Sequence, residues 1–566
     1  MKVGIISINM YSKGLNFACP LHTYAFQQFL LQNNIDATVI DYKPIYYDDF
    51  DLRHPADYYA KKCEAYTSKS ALSEKELALT NTKLSEHIKK RDAWKKMYRE
   101  RELRYDKFQH FIDTHYIKTD FCYDSDFIEL IDPGFDCYIC ATDVIWKNQP
   151  NLGFDRGFFL ASSTMENKWK IAYSASRGVY FANNKEEDSL FFHYLDDIDY
   201  ISVREASLKS YIEQNTDQPV TQVLDPVLLH DKDFYEEIAV TPPEQDYILL
   251  YFVMEKATDT IQQAIRYARA KHLKIVEITD SPYNKYRREL YEAAPDVEVI
   301  QHYTIGIEEW LGYFLHAKHV FTNSFHACCF CILFQKDFFV GFRHGDKVQN
   351  VLETFGLTDR RINMDTDLMK NPPKAIDFNH VYTILKKKRK ESSDFLLSAI
   401  HAIENKAKPI KDYEAYKKSL KYPVLYNSQK KSKNITWTYS AEQGITQRLA
   451  SGSVEYTPAS ADYSNTGNSR FQKNEFQYKH HHFCGWKIRI KIDNRWFWYL
   501  ENGTLKYKND YKAINDPPIQ IFKDESFIPY IPVNRISTIV AEAVWKEYLP
   551  YKVYRKFKTL IKKHLF

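Results

Sequence analysis

No uninterrupted apolar run in the chain reaches the roughly 20 residues that cross a bilayer as a helix. A membrane-embedded helical carrier is therefore not expected. Also missing are a G-x-x-x-x-G-K-[ST] loop and a G-x-G-x-x-G turn, so no motif indicates a nucleotide cofactor. Charge of one sign is scarce: 78 Lys and Arg against 74 Asp and Glu leave a net charge of +4 over 566 residues. That balance is too mild to demand the basic face of a nucleic-acid-binding protein. The opening MKVGIISINM lacks the charged lead, long apolar core and cleavage site of a secretory signal. It reads as a first strand, and a cytoplasmic protein is expected. The 9 cysteines are odd in number and several fall in strand or helix patterns, which fits reduced buried thiols better than a disulfide framework. Cys137 and Cys140 form one C-x-x-C inside the strand-like FDCYICA, with no second pair to complete a zinc site. Solenoid repeats and low-complexity tracts are absent as well.

What is present is a chain too long for one core. An aromatic share of 16%, with 43 Tyr and 36 Phe, is high for a soluble protein and suits sugar-binding or interface surfaces. KVGIISI, LHTYAFQQFLLQ and ATVIDY read as strand, helix and strand, the unit of a parallel sheet covered by helices. Asn16 lies in the loop after the first strand, where open parallel sheets take ligands, and is either an acceptor-side donor or a turn former. Residues 57–111 are charged and lack Gly and Pro, which predicts an insertion of exposed helices laced by charge pairs. Sheet patterns resume with DCYICATDVIW, KWKIAYSAS, YISVRE and VTQVLDPVLL, closing a first Rossmann-like domain over residues 1–235.

Residues 243–405 repeat the alternation more cleanly, with Ile261, Ala264, Ile265 and Ala268 marking one helix face. A second doubly wound domain is expected, ending in a long amphipathic helix over 380–405, and two such domains facing each other should form a cleft. Residues 410–566 form a mixed extension. FCGWKIRIKIDNRWFWYLENGTLKYK alternates like a hairpin with Asn502 and Gly503 at its turn. Trp486, Trp496 and Trp498 on it either stack on sugars or pack an edge strand. The final YKVYRKFKTLIKKHLF is basic, with Val553, Phe557, Leu560 and Ile561 at helical spacing. It either lies on anionic lipid or docks as a solvated terminal helix.

One residue stands out. In FTNSFHACCF, His326 sits where an apolar strand passes into an apolar helix. Such a histidine is either satisfied within the core or placed to use the positive end of a helix, where anions collect. Asp225 and Pro226 in VLDPV read as structural, and Arg204 in ISVRE as either functional or paired with Glu205. His480, His481 and His482 lack helical zinc spacing and read as a surface cluster, so no metal is expected.

The segments NFACPLHTYAFQQFL, FDCYICATDVIW, KIAYSASRG, ISVREAS, VLDPVLL and TNSFHACCFCILF, in that order over residues 1–405, resemble the polysaccharide pyruvyl transferase family. The resemblance implies two Rossmann-like halves similar to B-type glycosyltransferases. It also implies transfer of the carboxyethylidene unit of phosphoenolpyruvate to two hydroxyls of a sugar, with release of phosphate and no cofactor. Carried over residue by residue, the donor contacts are Arg204, His326 and Lys347, or Arg343 in the same GFRHGDK. The chemistry suits them, because a doubly anionic donor needs fork-shaped and point-like cations, and protonation of its methylene needs an acid. Ser324 and Phe325 stand where some relatives carry arginine and leucine, and Ala141 to Val144 replace a G-S-D-Q segment. Ser324 becomes a substrate-binding candidate, and Asp143 either orients an acceptor hydroxyl or is a structural cap. The expected partners are phosphoenolpyruvate, a glycan or lipid-linked acceptor and, through the basic tail, an anionic membrane. The alternatives are a nucleotide-sugar glycosyltransferase of the same architecture and a non-catalytic glycan-binding protein.

Overall fold

The computed structural model describes residues 1–413 apart from 48–49, 68–73, 126, 150–153, 179–190, 254–256 and 280–284, and beyond 413 only a set of strands. The first sheet is wholly parallel, built from β1 (Lys2–Ile6), β2 (Asp36–Tyr42), β3 (Lys118–Tyr123), β4 (Cys137–Cys140), β5 (Trp169–Ala175), β6 (Tyr200–Val203) and β7 (Val220–Gln222). Its order is β3-β2-β1-β4-β5-β6-β7. A second parallel sheet holds β8 (Tyr247–Tyr251), β9 (Lys274–Ile278), β10 (Val299–His302), β11 (His319–Thr322) and β12 (Asp337–Val340), in the order β10-β9-β8-β11-β12. Each order runs outward from its first strand and then reverses, so both halves are Rossmann-like. Each has its switch point beside that strand, between β1 and β4 and between β8 and β11. Helices cover both faces of such sheets, which is why CYIC and YILLY are continuous apolar runs buried at every position.

The expected cleft between the halves is largely filled. One apolar core takes Leu15, Phe17, Leu21 and Phe108 from the first half and Tyr251, Trp310, Phe314 and Phe330 from the second. Phe17 stacks on Trp310 at 5.8 Å between centroids and meets Phe108 at 5.2 Å. The helix Phe378–Ile403 joins the halves again. Val381 and Leu385 enter the shared core, while Leu396, Ala399, Ile400 and Ile403 pack beneath the first sheet with Val3, Ile5 and Ile139. Residues 1–408, less two short segments, accordingly form a single compact unit.

Three helices, Pro55–Thr67, Glu74–Lys96 and Tyr98–His115, occupy the insertion between β2 and β3. The last is not the solvated helix its charges suggest. Arg101 and Arg104 are fully buried. Arg104 donates to the carbonyls of Leu15 (2.8 Å), Thr279 (2.9 Å) and Tyr303 (2.9 Å), and Arg101 to those of Leu52 (2.6 Å) and Lys13 (3.1 Å). A guanidinium with five donors can satisfy loop carbonyls that no strand reaches. The edge strand β3 was not foreseen, because its sequence KTDFCY is polar and half-exposed.

A second unit comprises Asn148–Phe154, Ala182–Tyr194 and Pro409–Phe566. Within it, Trp486–Ile492 pairs antiparallel with Arg495–Tyr499, which pairs in turn with Leu505–Tyr507. Trp486, Trp496 and Trp498 lie on those strands, and His481 and His482 on the strand His481–Phe483. Asn502, Gly503, His480 and the basic tail lie outside the described residues. Among the described residues every cysteine is a free thiol, with Cys137 and Cys140 fully buried, and no helix is long and apolar enough to cross a membrane.

Replacing Arg104 by Met keeps most of the side-chain volume but strands three buried carbonyls. Charge-assisted hydrogen bonds contribute about 1.5–3 kcal/mol each and do not simply add, so a loss of at least about 3 kcal/mol is expected in urea unfolding. An unchanged midpoint would show that the helix does not bind the halves together.

Candidate active site

The site grows from the ends of β11 and β6. Past β11, the Thr322 hydroxyl donates to the Tyr251 carbonyl (2.6 Å) and accepts from the Ser324 amide (3.0 Å). Asn323 closes on Val253, accepting from its amide at 2.8 Å and donating to its carbonyl at 3.2 Å. Ser324 then caps the helix Phe325–Leu333 by accepting from the Ala327 amide at 3.4 Å. His326 is thereby fixed in the first turn and buried. Its Nε2 lies 3.4 Å from Asp225 Oδ2 but off the line of a hydrogen bond, and has no hydrogen-bond partner among the described residues.

Beyond β6, Arg204 spends its whole fork on carboxylates. Nε donates to Glu205 (2.9 Å), Nη1 to Asp225 (2.9 Å) and Nη2 to Asp143 Oδ1 (2.8 Å). The Phe325 ring of the other half covers the guanidinium at 4.3 Å. Lys347, the first residue of the helix Lys347–Thr354, reaches the same Asp143 Oδ1 at 3.0 Å. One oxygen thus joins cations from both halves. Burial pushes the Asp143 carboxyl up, but Lys347 and Arg204 outweigh it and hold the group well below the usual carboxylate range. Burial lowers Lys347 against the pull of Asp143; the contacts of Asp143 leave the two as an ion pair.

Asp225 is more than the structural residue its VLDPV setting suggested. Its Oδ1 caps the turn Pro226–Leu228 through the Val227 amide (3.2 Å), while Oδ2 binds Arg204 and faces His326. Burial acts to raise it, and His326 and Arg204 override that and lower it.

His22 was missed altogether. It lies on the helix Ala18–Gln32, fully buried, with its ring 5.8 Å from that of His326 and inclined by 29°. Nδ1 is 3.4 Å from the Thr23 hydroxyl, which lies 2.8 Å from that of Ser7, and Nε2 has no hydrogen-bond partner among the described residues. Burial lowers it to about 4, against the attraction of Asp225, so the imidazole is neutral at pH 7. The signal was available in PLHTYAFQQF, a histidine on an apolar helix, the same anomaly that drew notice to His326.

The structure brings Arg204, His326, Lys347 and Asp143 together. Ser324 serves the helix start. Asn16 accepts from the Ala18 amide at 3.0 Å and so shapes the turn, and Arg343 donates to the Val253 carbonyl at 2.6 Å. Beside the cluster, Arg204, Gln222, Asp225, Phe325 and Asn350 line a small cavity of about 50 Å³.

The model of the polysaccharide pyruvyl transferase family matches residues 21–344, more than half of the chain. The chain belongs to that family, whose members are transferases. No curated protein sequence matches it. Among solved structures, it is similar to the UDP-GlcNAc 2-epimerase from Neisseria meningitidis bound to UDP-GlcNAc, at 10% identity and a TM-score of 0.38 over 71% of this chain and 100% of that one. The UDP-GlcNAc 2-epimerase from Methanocaldococcus jannaschii matches at 11% and 0.31 over 73% and 95%. Os79 from O. sativa in complex with UDP matches at 9% and 0.34 over 70% and 100%.

His22 has a counterpart in His230, whose Nε2 donates to the Ala25 carbonyl at 2.7 Å and which burial also lowers to about 4. For both, the unfolded chain takes the proton first as pH falls. Their stabilising effect is therefore complete above the ordinary histidine value near 6.5 and lost between there and about 4, by up to about 3 kcal/mol each. Urea unfolding between pH 7.5 and 4.5 should show the loss, and His22→Gln should flatten it. A slope unaffected by the substitution would mean that His22 is not buried as a neutral ring. Asp143 and Asp225, held low, act only at more acidic pH.

Proposed function

We propose that this chain transfers the carboxyethylidene group of phosphoenolpyruvate to two hydroxyls of a sugar in a surface-glycan precursor, with no resident cofactor. The observation that carries the reading is the convergence of Arg204 and Lys347, from opposite halves, on one anionic oxygen beside His326. Asp143 Oδ1 occupies the position that a donor phosphate or carboxylate oxygen would take. Three carboxylates, Asp143, Asp225 and Glu205, already face the two cations. A dianion arriving with Asp143 in place would meet net repulsion in a poorly screened site. Donor binding therefore exchanges the donor oxygen for Asp143, and the released carboxylate is left to take a proton from the acceptor.

The chemistry then balances. His326 gives a proton to the methylene carbon, making a methyl group and an oxocarbenium-like centre. One sugar hydroxyl adds to that centre, the C–O bond to phosphate breaks, and the second hydroxyl closes the ketal. Of the two hydroxyl protons released, one replaces the proton given by His326 and the other leaves with phosphate. Asp143 and the neutral ring of His22 are the groups placed to receive them. A lipid-linked acceptor handled at the cytoplasmic face of a membrane is supported by the basic segment 551–566.

Purified protein incubated with phosphoenolpyruvate and synthetic or lipid-linked glycans should release phosphate and add one carboxyethylidene mass to the glycan. His326→Ala should lower turnover about 10²–10⁴-fold while the protein stays folded; near-normal turnover would remove His326 from the mechanism. Tight binding of UDP with indifference to phosphoenolpyruvate would move the assignment to glycosyl transfer. Asp143→Asn, which keeps the shape and tolerates the left-handed backbone at φ 66°, should lower both KM for phosphoenolpyruvate and kcat. A raised KM would refute the exchange of Asp143 for the donor.

A further inference from the structure

A second cavity, of about 320 Å³, opens between the carboxyl edge of the first sheet and the inserted helices. Asn9 and Tyr11 beyond β1, Asp41 of β2, Lys118 of β3, Tyr47, and Tyr105 of the helix Tyr98–His115 all line it. We propose that this cavity binds one neutral pyranose ring and that the insertion is thereby the element that selects the acceptor. The second clause rests on the transfer reading above; the first does not.

Charge is the first argument. The lining carries Asp41 and Asp51 against Arg53 and Lys118, so it offers no net attraction to an anion, unlike the Arg204 and Lys347 pair. Arrangement is the second. Tyr11 and Tyr47 meet edge to face, with centroids 5.1 Å apart and planes at 70°. That gives ring faces and edges against which the C–H faces of a sugar can rest. Around the rings stand directional polar groups: Tyr11 donates to Asp41 at 2.8 Å, Lys118 Nζ lies 3.7 Å from the same carboxylate, and Tyr105 donates to Gln109 at 3.3 Å. Sugar hydroxyls both donate and accept, and so can enter such a network at either end.

Asn9 supplies an independent pointer. It is 2% exposed, and its Oδ1 accepts no hydrogen bond from the described residues. An unsatisfied buried amide oxygen costs about 1–3 kcal/mol, and a ligand hydroxyl would recover it. The volume sits at the low end of the roughly 300–1,000 Å³ usual for small-molecule sites, which suits a single ring more than a long oligosaccharide. Asn9 also lies two residues beyond Ser7, whose hydroxyl is 2.8 Å from that of Thr23, the neighbour of His22. The cavity and the reacting cluster thus share one edge of the sheet.

Saturation-transfer NMR on the full chain, with the methyl glycosides of glucose, galactose, mannose and N-acetylglucosamine as probes, tests this directly. At least one should show transfer, and Asn9→Ala should weaken its binding about fivefold or more. Lys118→Ala, on the half-exposed edge strand, should weaken it too, and covers the case in which the Asn9 variant fails to fold. No transfer from any of the four, or unchanged binding in the folded variants, overturns the proposal. A glycoside that binds here yet is never ketalated leaves the cavity standing and removes the transfer reading. Ketalation indifferent to the cavity variants does the reverse.

Discussion

The buried guanidinium of Arg204 is the constraint on which the rest of the arrangement depends. Removing a charge from water costs several kcal/mol unless geometry and hydrogen bonding restore it. Here they do: three carboxylates from three points of the first half fill the fork, and Phe325 of the second half closes over its face. Each carboxylate is in turn fixed by something else. Asp225 caps a turn, Asp143 binds Lys347, and Glu205 precedes a helix. A lysine at 204 could not divide itself among them, because one ammonium on a flexible stem has no rigid fork.

This makes the contact between halves part of the charged cluster. In many two-domain enzymes the default expectation is relative motion, unless the interface is large and hydrophobic. The core from Phe17 through Trp310 to Phe330 is of that hydrophobic kind, and the helix Phe378–Ile403 ties both sheets from the other side. Lys347 and His326 belong to one half, and Asp143, Asp225 and His22 to the other. Their separations of 3.0 Å and 3.4 Å across the boundary therefore depend on aromatic packing well away from the charges.

Much of this was legible in the sequence, for a specific reason. Strands buried on both faces of a parallel sheet read as short apolar runs, so YILLY, KIVEI and CYIC could hardly be taken for anything else. The edge strand β3 escaped because an edge is polar by necessity. Arg101 and Arg104 misled because a charged helix reads alike whether its cations face water or buried carbonyls; only the fold tells which. His326 was legible as an anomaly at a strand-to-helix passage. His22 was equally anomalous but lay inside a helix, where no boundary drew attention to it. Asp225 reads as structural in VLDPV, yet a carboxylate has two oxygens and here each has a separate partner.

The two imidazoles lie side by side, with ring centroids 5.8 Å apart. One faces a carboxylate that also binds Arg204, and the other faces the Thr23 hydroxyl, itself beside that of Ser7. Burial lowers His22 and outweighs the pull of Asp225, so that ring stays neutral. Two histidines drawn from opposite halves thus meet different surroundings. The difference exists only while the halves are in contact, since Asp225 and His326 come from different sheets. The contact of His326 with Asp225 is thus conditional on the packed aromatic core, which links the least polar part of the molecule to its most polar.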